Sequence, residues 1–298
     1  MSSYSGASSL EATKIQCNLN NLTRLDEVYQ SLVHELTGIF EDGREASAIT
    51  KWLIEERLQL THAQLLAYPE LTVPADKRNQ LEADLAALKK GWPPQYVIGH
   101  VHFLDKALMV QPGVFIPRPE TEELAHQLTQ QLGSSFSGSV LDIGAGSGCL
   151  AIALASAFPL ASVQALEYTE SALSVLRTNV AHNQVAVQVI AGSILEPASV
   201  IPHLKHCYSL IVSNPPYVIQ QERAQMSKRV TGHEPAEALF VPDGHPLVYY
   251  EAIAYLAAAY LCKGGQLALE VNATYAGQVA GLLQQQGLVN IVVHKDLQ

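Results

Sequence analysis

From residue 140 onward, short apolar runs alternate with helical stretches, and the first run passes directly into Gly144-Ala-Gly-Ser-Gly148. Residues 140–143 read as a strand and 150–158 as a helix; 163–167 form a second strand, followed by a helix over 170–182. Residues 187–191 and 209–213 are the third and fourth strands. A helix over 252–261, a fifth strand over 266–271, a helix over 275–286 and a sixth strand over 289–294 complete the pattern. Short apolar strands spaced by helices predict an α/β fold with a doubly wound parallel sheet and right-handed crossovers. The ligand of such a sheet lies beyond the carboxyl ends of its central strands.

Glycines at 144, 146 and 148 permit a tight turn and let backbone N–H groups approach a ligand. An ordinary strand-to-helix turn can carry such glycines, so the carboxylates around it matter more. Asp142 lies in the strand just before the turn, and Glu167 ends the next strand, where a carboxylate can accept hydrogen bonds from ribose hydroxyls. The dinucleotide fingerprint would place its last glycine at 149, where this chain has Cys149. Asp142 suits a cationic cofactor better than a pyrophosphate. S-adenosylmethionine, with a sulfonium, an ammonium and no phosphate, is therefore the expected ligand.

The fourth strand ends in Ser213-Asn-Pro-Pro-Tyr217. Pro215 and Pro216 lack N–H groups and hold φ, so carbonyls there are presented rigidly. Asn214 offers a side-chain carbonyl and Tyr217 a ring face. Together they suit a planar NH2 group, with acceptors for its two protons and an aromatic surface for its plane. Holding such a nitrogen in line with a methyl sulfonium, with its N–H bonds polarised, assists a poor nucleophile without a metal or a strong base. A glutamine amide and the exocyclic amine of adenine satisfy these residues equally.

The first third reads as helical. Leu22, Leu25, Val28, Leu32, Leu36 and Ile39 recur at three- and four-residue steps. A second helix covers about 46–58. Thr61 with Gln64 makes a capping box for a short third helix that Pro69 stops. A fourth starts near Pro74, carries Leu81, Leu85 and Leu88, and ends at Gly91. This bundle shows no catalytic chemistry and is either a packing unit or a docking unit. Residues 96–120 read as a hairpin-like connector.

The chain has 18 basic and 28 acidic residues, a net charge of −10, which disfavours direct nucleic-acid binding. Its longest apolar run, Ala252 to Cys262, falls short of the roughly 20 residues that span a bilayer, so no membrane partner is expected. Cys17, Cys149, Cys207 and Cys262 are scattered without a CxxC pair and read as reduced thiols in the cytoplasm. His100 with His102 and His203 with His206 are too sparse for a metal site, and no metal is expected.

Taken together, the glycine loop after Val140-Leu-Asp142, the acid ending the second strand and the Asn-Pro-Pro-Tyr run resemble class I S-adenosylmethionine-dependent methyltransferases of the amino type. Gly99 through Phe103, with Phe115-Ile-Pro-Arg-Pro-Glu-Thr-Glu-Glu-Leu124, is more specific. These residues and the helical part are similar to the bacterial peptide chain release factor glutamine methyltransferases, the HemK/PrmC family, over roughly residues 22–297. His233-Glu-Pro235, Ala238-Leu239 and Lys263-Gly-Gly265 before Leu267-Ala-Leu-Glu270 continue the match. The resemblance implies a Rossmann-like methyltransferase domain behind a helical bundle. It also implies methylation of N5 of the glutamine in the GGQ motif of class 1 release factors. The implied cofactor residues are Asp142, Gly144, Ala145, Gly146, Ser147, Gly148, Glu167, Ile194 and Asn214. The implied substrate contacts are Asn214, Pro215, Pro216, Tyr217 and Phe103, with Asn214, Pro215 and Tyr217 as the catalytic set. Arg118 is expected to hold the connector against the catalytic domain.

The implied organisation is a flexible tail over 1–20, a helical docking domain over 21–95, the connector over 96–120 and the methyltransferase domain over 121–298. Ser193-Ile194 stands where many members carry an acid, and Glu270-Val-Asn272 stands for their Glu-Ile-Gly. The sequence reaches Gln298 where the family usually continues with a last antiparallel strand between strands five and six. Those two strands should then meet directly or leave backbone groups unpaired, with stability suffering before chemistry. The stretch of about 30 residues after Tyr217 should lie over the active site and contact a protein substrate. Three rivals remain. A ribosomal-protein glutamine methyltransferase would carry a different connector, and an adenine-N6 methyltransferase would need a nucleic-acid surface. The third is a cofactor-binding protein without turnover, which the intact Asn214–Tyr217 run disfavours.

Overall fold

The computed structural model describes residues 19–40 and 42–295. Most of the 1–20 tail lies outside the described residues. The chain divides into two compact units, one ending at Pro94 and the other beginning at Gln95.

The first unit holds helices α1 (Leu25–Thr37), α2 (Gly43–Leu58), α3 (His62–Ala67) and α4 (Ala75–Lys89). Leu25, Val28, Leu32 and Leu36 of α1 are buried, as the three- and four-residue spacing requires, although the helix starts at Leu25 rather than Leu22. Asp42 caps α2 by accepting from the Arg44 N–H at 2.8 Å, which starts that helix three residues before the apolar spacing does. Thr61 and Gln64 exchange the two bonds of a capping box at the start of α3. Within the bundle Arg57 of α2 donates to Asp84 of α4 at 2.7 Å with both side chains nearly out of water.

A short helix, α5 (Pro94–Ile98), leads into the second unit, whose first element is the antiparallel hairpin of β1 (His100–Phe103) and β2 (Lys106–Met109). The sheet strands and helices follow in order: α6 (Pro119–Leu132), β3 (Ser139–Ile143), α7 (Cys149–Ala157), β4 (Ser162–Glu167), α8 (Glu170–His182), β5 (Val187–Ala191), α9 (Pro197–Val200) and β6 (Tyr208–Ser213). Next come β7 (Val218–Ile219), α10 (Lys228–His233), α11 (Ala236–Leu239), β8 (Phe240–Val241), α12 (Val248–Tyr260), β9 (Leu261–Leu269) and α13 (Ala276–Gln285). Among the described residues the main sheet has the order β5-β4-β3-β6-β9, parallel throughout. Its strands are apolar on both faces because helices cover both; Ile253, Leu256 and Ala257 of α12 pack in one cluster with Leu141, Ile143, Leu166, Ile190 and Ile211. From β3 the chain winds outward to β5, then returns to β6 on the other side of β3. The strand order therefore reverses between β3 and β6.

Three expectations are corrected. The sixth strand over 289–294 does not form: Val289, Val292 and Val293 are 79%, 69% and 59% exposed, and the outer edge of β9 has no partner among the described residues. The fifth strand starts at Leu261 rather than 266 and absorbs Gly264-Gly265, which read as a turn. A register shift opposite Tyr208–Leu210 accommodates them; Gly264 has φ +80°, and a Cβ at Gly265 would stand 2.8 Å from the Tyr208 carbonyl oxygen. Finally, Cys207 and Cys262 are joined in a disulfide with Cα atoms 5.1 Å apart. The pairing of Tyr208 with Leu261 brings together two cysteines 55 positions apart, a juxtaposition that no local spacing announces. Cys149 stays a thiol, and burial pushes its titration far up.

Candidate active site

The carboxyl ends of β3, β4 and β6 open into a cleft at the point where the strand order reverses. It encloses about 1000 Å³ of space, part of it open to solvent. Its floor is Asp142 to Ser147, one wall is Leu166 to Thr169, and the opposite wall is Ser213 to Pro216.

The glycine loop is built from three different needs. Gly144, Gly146 and Gly148 all have positive φ, +72°, +57° and +87°. A Cβ at Gly144 or Gly146 would meet nothing within 4 Å, whereas one at Gly148 would lie 2.4 Å from Leu176 Cδ1 of α8. The first two positions keep the cleft open and the third lets the loop sit against α8. Gly144 and Ala145 N–H groups both donate to the Leu166 carbonyl, at 2.9 and 3.0 Å. The buried Asn179 of α8 donates to the Ser147 carbonyl and also exchanges bonds with Met109 at both N–H and C=O. One side chain thus ties the loop to the hairpin.

Glu167 is only 6% exposed and rigidly held. Its Oε1 accepts from the Tyr168 and Thr169 N–H groups and from the Thr169 hydroxyl, and its Oε2 accepts from the Gly146 N–H at 2.9 Å. The remaining acceptor capacity is on Oε2, so a diol can share that oxygen. Asp142 is buried; its Oδ2 accepts from the Ala151 N–H at 3.0 Å, and its Oδ1 has no hydrogen-bond partner among the described residues. Burial, with a lesser push from Glu167, raises this carboxyl to about 7. A buried carboxylate oxygen beside an open cleft fits a cationic ligand.

Ala145, Ser193, Ile194, Asn214, Pro215 and Pro216 also line the cleft. Tyr217 is not a lining residue; its hydroxyl donates to Glu270 Oε1 at 3.2 Å. Phe103 is not brought to the cleft either. The alternation of β1 turns Val101 and Phe103 inward, leaving Phe103 1% exposed. One aromatic ring at the cleft is Phe115, with the Arg118 guanidinium 4.7 Å from its centroid. Thr121, Tyr168, Tyr249 and Ile253 were also missed among the lining residues. Only the apolar spacing of α12 could have pointed to Tyr249 and Ile253.

The stretch after Tyr217 is not bare loop. It holds the parallel pair β7–β8 with α10 and α11, and Pro235, Glu237 and Ala238 reach the cleft. Glu234 anchors it: one carboxylate oxygen takes the Arg118 guanidinium and the other the Ile116 N–H at 3.2 Å. Arg118 thus does hold the connector, and its partner is this segment.

Residues 28–99 match the PrmC N-terminal domain family and residues 106–248 the methyltransferase small domain family. A release factor glutamine methyltransferase of Flavobacterium psychrophilum is 35% identical over 89% of this chain and 92% of its own. One from Bacteroides thetaiotaomicron is 33% identical over 85% and 89%. One from a Synechocystis strain is 34% identical over 86% and 87%. A parallel sheet reversing beside a glycine loop, with Asn-Pro-Pro-Tyr at the neighbouring strand end, defines a class I methyltransferase. Within that class, the chain belongs to the family of release factor glutamine methyltransferases.

Proposed function

We propose that the protein transfers a methyl group from S-adenosylmethionine to N5 of the glutamine in the GGQ motif of class 1 peptide chain release factors. The observation that carries this reading is the placement of Asn214 and Pro215 across one cleft from the glycine loop and the unpartnered Asp142 oxygen. The relatives' shared name supplies the substrate.

The cleft fits the cofactor. Gly144 and Gly146 leave room for it, Glu167 Oε2 would accept from a ribose diol, and Asp142 and Ile194 line the same cleft. When bound, the cofactor supplies an electrophilic methyl on sulfur. The chain's own residues orient the nucleophile. The Asn214 side-chain carbonyl and the Pro215 backbone carbonyl accept the two N–H protons of the glutamine amide and increase electron density on nitrogen. With the cofactor in place, the glutamine nitrogen held by Asn214 and Pro215 would take the methyl as its bond to sulfur breaks, and the amide would give up one proton to water. Positioning supplies most of the rate, since one reactant is a poor nucleophile held in line. Tyr217, which does not line the cleft, serves through its bond to Glu270.

The reading assigns residues 21–95 to docking of the release factor, 96–120 to the connector and 121–298 to methyl transfer, with the segment around Glu234 contacting the protein substrate. Phe115 takes the aromatic role first expected of Phe103. Among the described residues no helix is long and apolar enough to cross a membrane; the proposed substrate places the protein in the cytoplasm. The experiment is transfer of labelled methyl to purified release factor, beside a factor with its GGQ glutamine replaced. Label on the intact factor alone supports the reading.

A further inference from the structure

The amide of Asn214 has two orientations of nearly identical shape, and only one presents an oxygen to a substrate N–H. A chain of hydrogen bonds behind it decides between them. Asn214 Nδ2 donates to Thr121 Oγ1 at 2.9 Å, and that hydroxyl donates to Glu270 Oε2 at 2.7 Å. The three residues come from separate elements: Asn214 follows β6, Thr121 sits in the first turn of α6, and Glu270 follows β9. Their meeting is set by the sheet, because β6 and β9 run side by side with Ser213 opposite Leu269, and the Glu270 N–H donates to the Ser213 carbonyl.

A threonine hydroxyl has a single proton. An ionised Glu270 can only accept, so the proton of Thr121, 2% exposed, goes to it. The Thr121 oxygen must then accept, and the amide end facing it must be Nδ2. No described residue donates to Oδ1, which is left for the cleft. We infer that Thr121 and Glu270 are positioning residues that fix the polarity of the catalytic Asn214 amide. This rests on the reading of Asn214 as acceptor for the substrate amide.

Protonation of Glu270 reverses the chain, because a carboxylic acid can donate to Thr121 and free the hydroxyl proton for Oδ1. Glu270 is faced by Thr121, Glu120 and Arg118 at the start of α6, by Tyr217 after β6, and by Tyr250 of α12, whose hydroxyl donates to the Glu270 carbonyl at 3.2 Å. Burial raises its carboxyl, opposed by the bonds from Thr121 and Tyr217.

The test measures methyl transfer to release factor at saturating cofactor for wild type, Thr121→Val, Thr121→Ser and Glu270→Gln, with the cofactor Kd of each. Expected is a fall in kcat of about 10- to 100-fold for Thr121→Val, scaled to loss of one oriented donor or acceptor; Glu270→Gln, whose side-chain oxygen can still accept from Thr121, should lose less at neutral pH. Cofactor Kd should stay within about threefold in each variant. Thr121→Ser should restore most of the rate. The wild-type kcat should have an acid limb that Glu270→Gln abolishes. A Thr121→Val enzyme with wild-type kcat, or equal losses in Thr121→Val and Thr121→Ser, overturns the inference. If Thr121→Val does not bind cofactor, Glu270→Gln decides alone: an unchanged acid limb overturns the inference and a lost one supports it. A wild-type enzyme without activity on release factor overturns the proposed function instead, and is read separately.

Discussion

Arg118 and Glu234, 116 positions apart, form an ion pair in which the glutamate side chain is 1% exposed and the arginine 28%. The same carboxylate takes the Ile116 N–H, so one residue before α11 secures the connector at two points. Removing the arginine leaves a buried carboxylate short of its partner. Arg118→Ala should therefore cost about 3 kcal/mol, read as a fall in Tm by thermal denaturation. Adding Glu234→Leu should recover part of that loss, since the buried charge goes with it. Equal losses in the single and double variants would count against the pair.

Asp142 should link cofactor affinity to pH. Its carboxyl is raised to about 7 by burial, whereas an unfolded aspartate titrates near 3.9. The folded protein therefore holds a proton there that the unfolded chain has released. This group's contribution to stability is complete below about pH 4 and is lost as pH rises through about 7. A cationic ligand reverses the preference by favouring the ionised form. The affinity for S-adenosylmethionine should rise with pH up to about 7 and level off above it. Calorimetric titration across pH 5.5–8.5 should show this slope in wild type and none in Asp142→Asn.

Two glycines of one loop should respond in opposite ways to alanine. At Gly148 a Cβ collides with Leu176 at 2.4 Å on a backbone with φ +87°, so Gly148→Ala should lower stability by roughly 2–4 kcal/mol, the sum of strain and overpacking. At Gly144 the space is open, so Gly144→Ala should pay only the backbone cost of about 1 kcal/mol. Its methyl stands at the cofactor cleft, however, and cofactor Kd should rise at least tenfold. Thermal melts and cofactor titrations on the two variants separate these outcomes.

The Cys207–Cys262 bond closes a loop with a sequence separation of 55, for which loss of chain entropy in the unfolded state corresponds to about 4 kcal/mol. It joins the amino ends of β6 and β9, at the far end of these strands from the cleft. Reduction should lower Tm while leaving the cofactor Kd unchanged. Peptide mapping without reductant should recover the two cysteines as one linked species. In a compartment held reducing by glutathione the pair is expected to open, and the stability difference is then the quantity at stake. Free thiols in air-oxidised protein would contradict the pairing.

The alternation that made the sheet legible is a property of single residues: strands buried on both faces read as apolar runs, and glycines with positive φ stand directly after one of them. Hence β3, β4, β5 and β6 and the glycine loop were placed from the sequence within a residue or so at each boundary. What escaped depended on pairing between distant segments. The start of β9 read as a turn because a bulge opposite Tyr208 was needed to absorb Gly264-Gly265. The run over 289–294 read as a strand because its residues are apolar, yet it stays exposed and unpaired although the outer edge of β9 is free among the described residues. Glu270 was noted only as part of a motif, and its bonds to Thr121 and Tyr217 exist because β6 and β9 are neighbours. Phe103 was placed at the site by resemblance, and the inward face of β1 explains why it lies away from the cleft.

In the proposed reaction Asn214 and Pro215 hold a release-factor glutamine for methylation. The most direct measurement is peptide mass spectrometry of class 1 release factor incubated with the protein and S-adenosylmethionine. Wild type should add one methyl to the glutamine of the GGQ motif, while Asn214→Ala, with cofactor binding retained, should slow that addition by about 100-fold or more. Methylation elsewhere on the factor, or an Asn214→Ala rate equal to wild type, would contradict it.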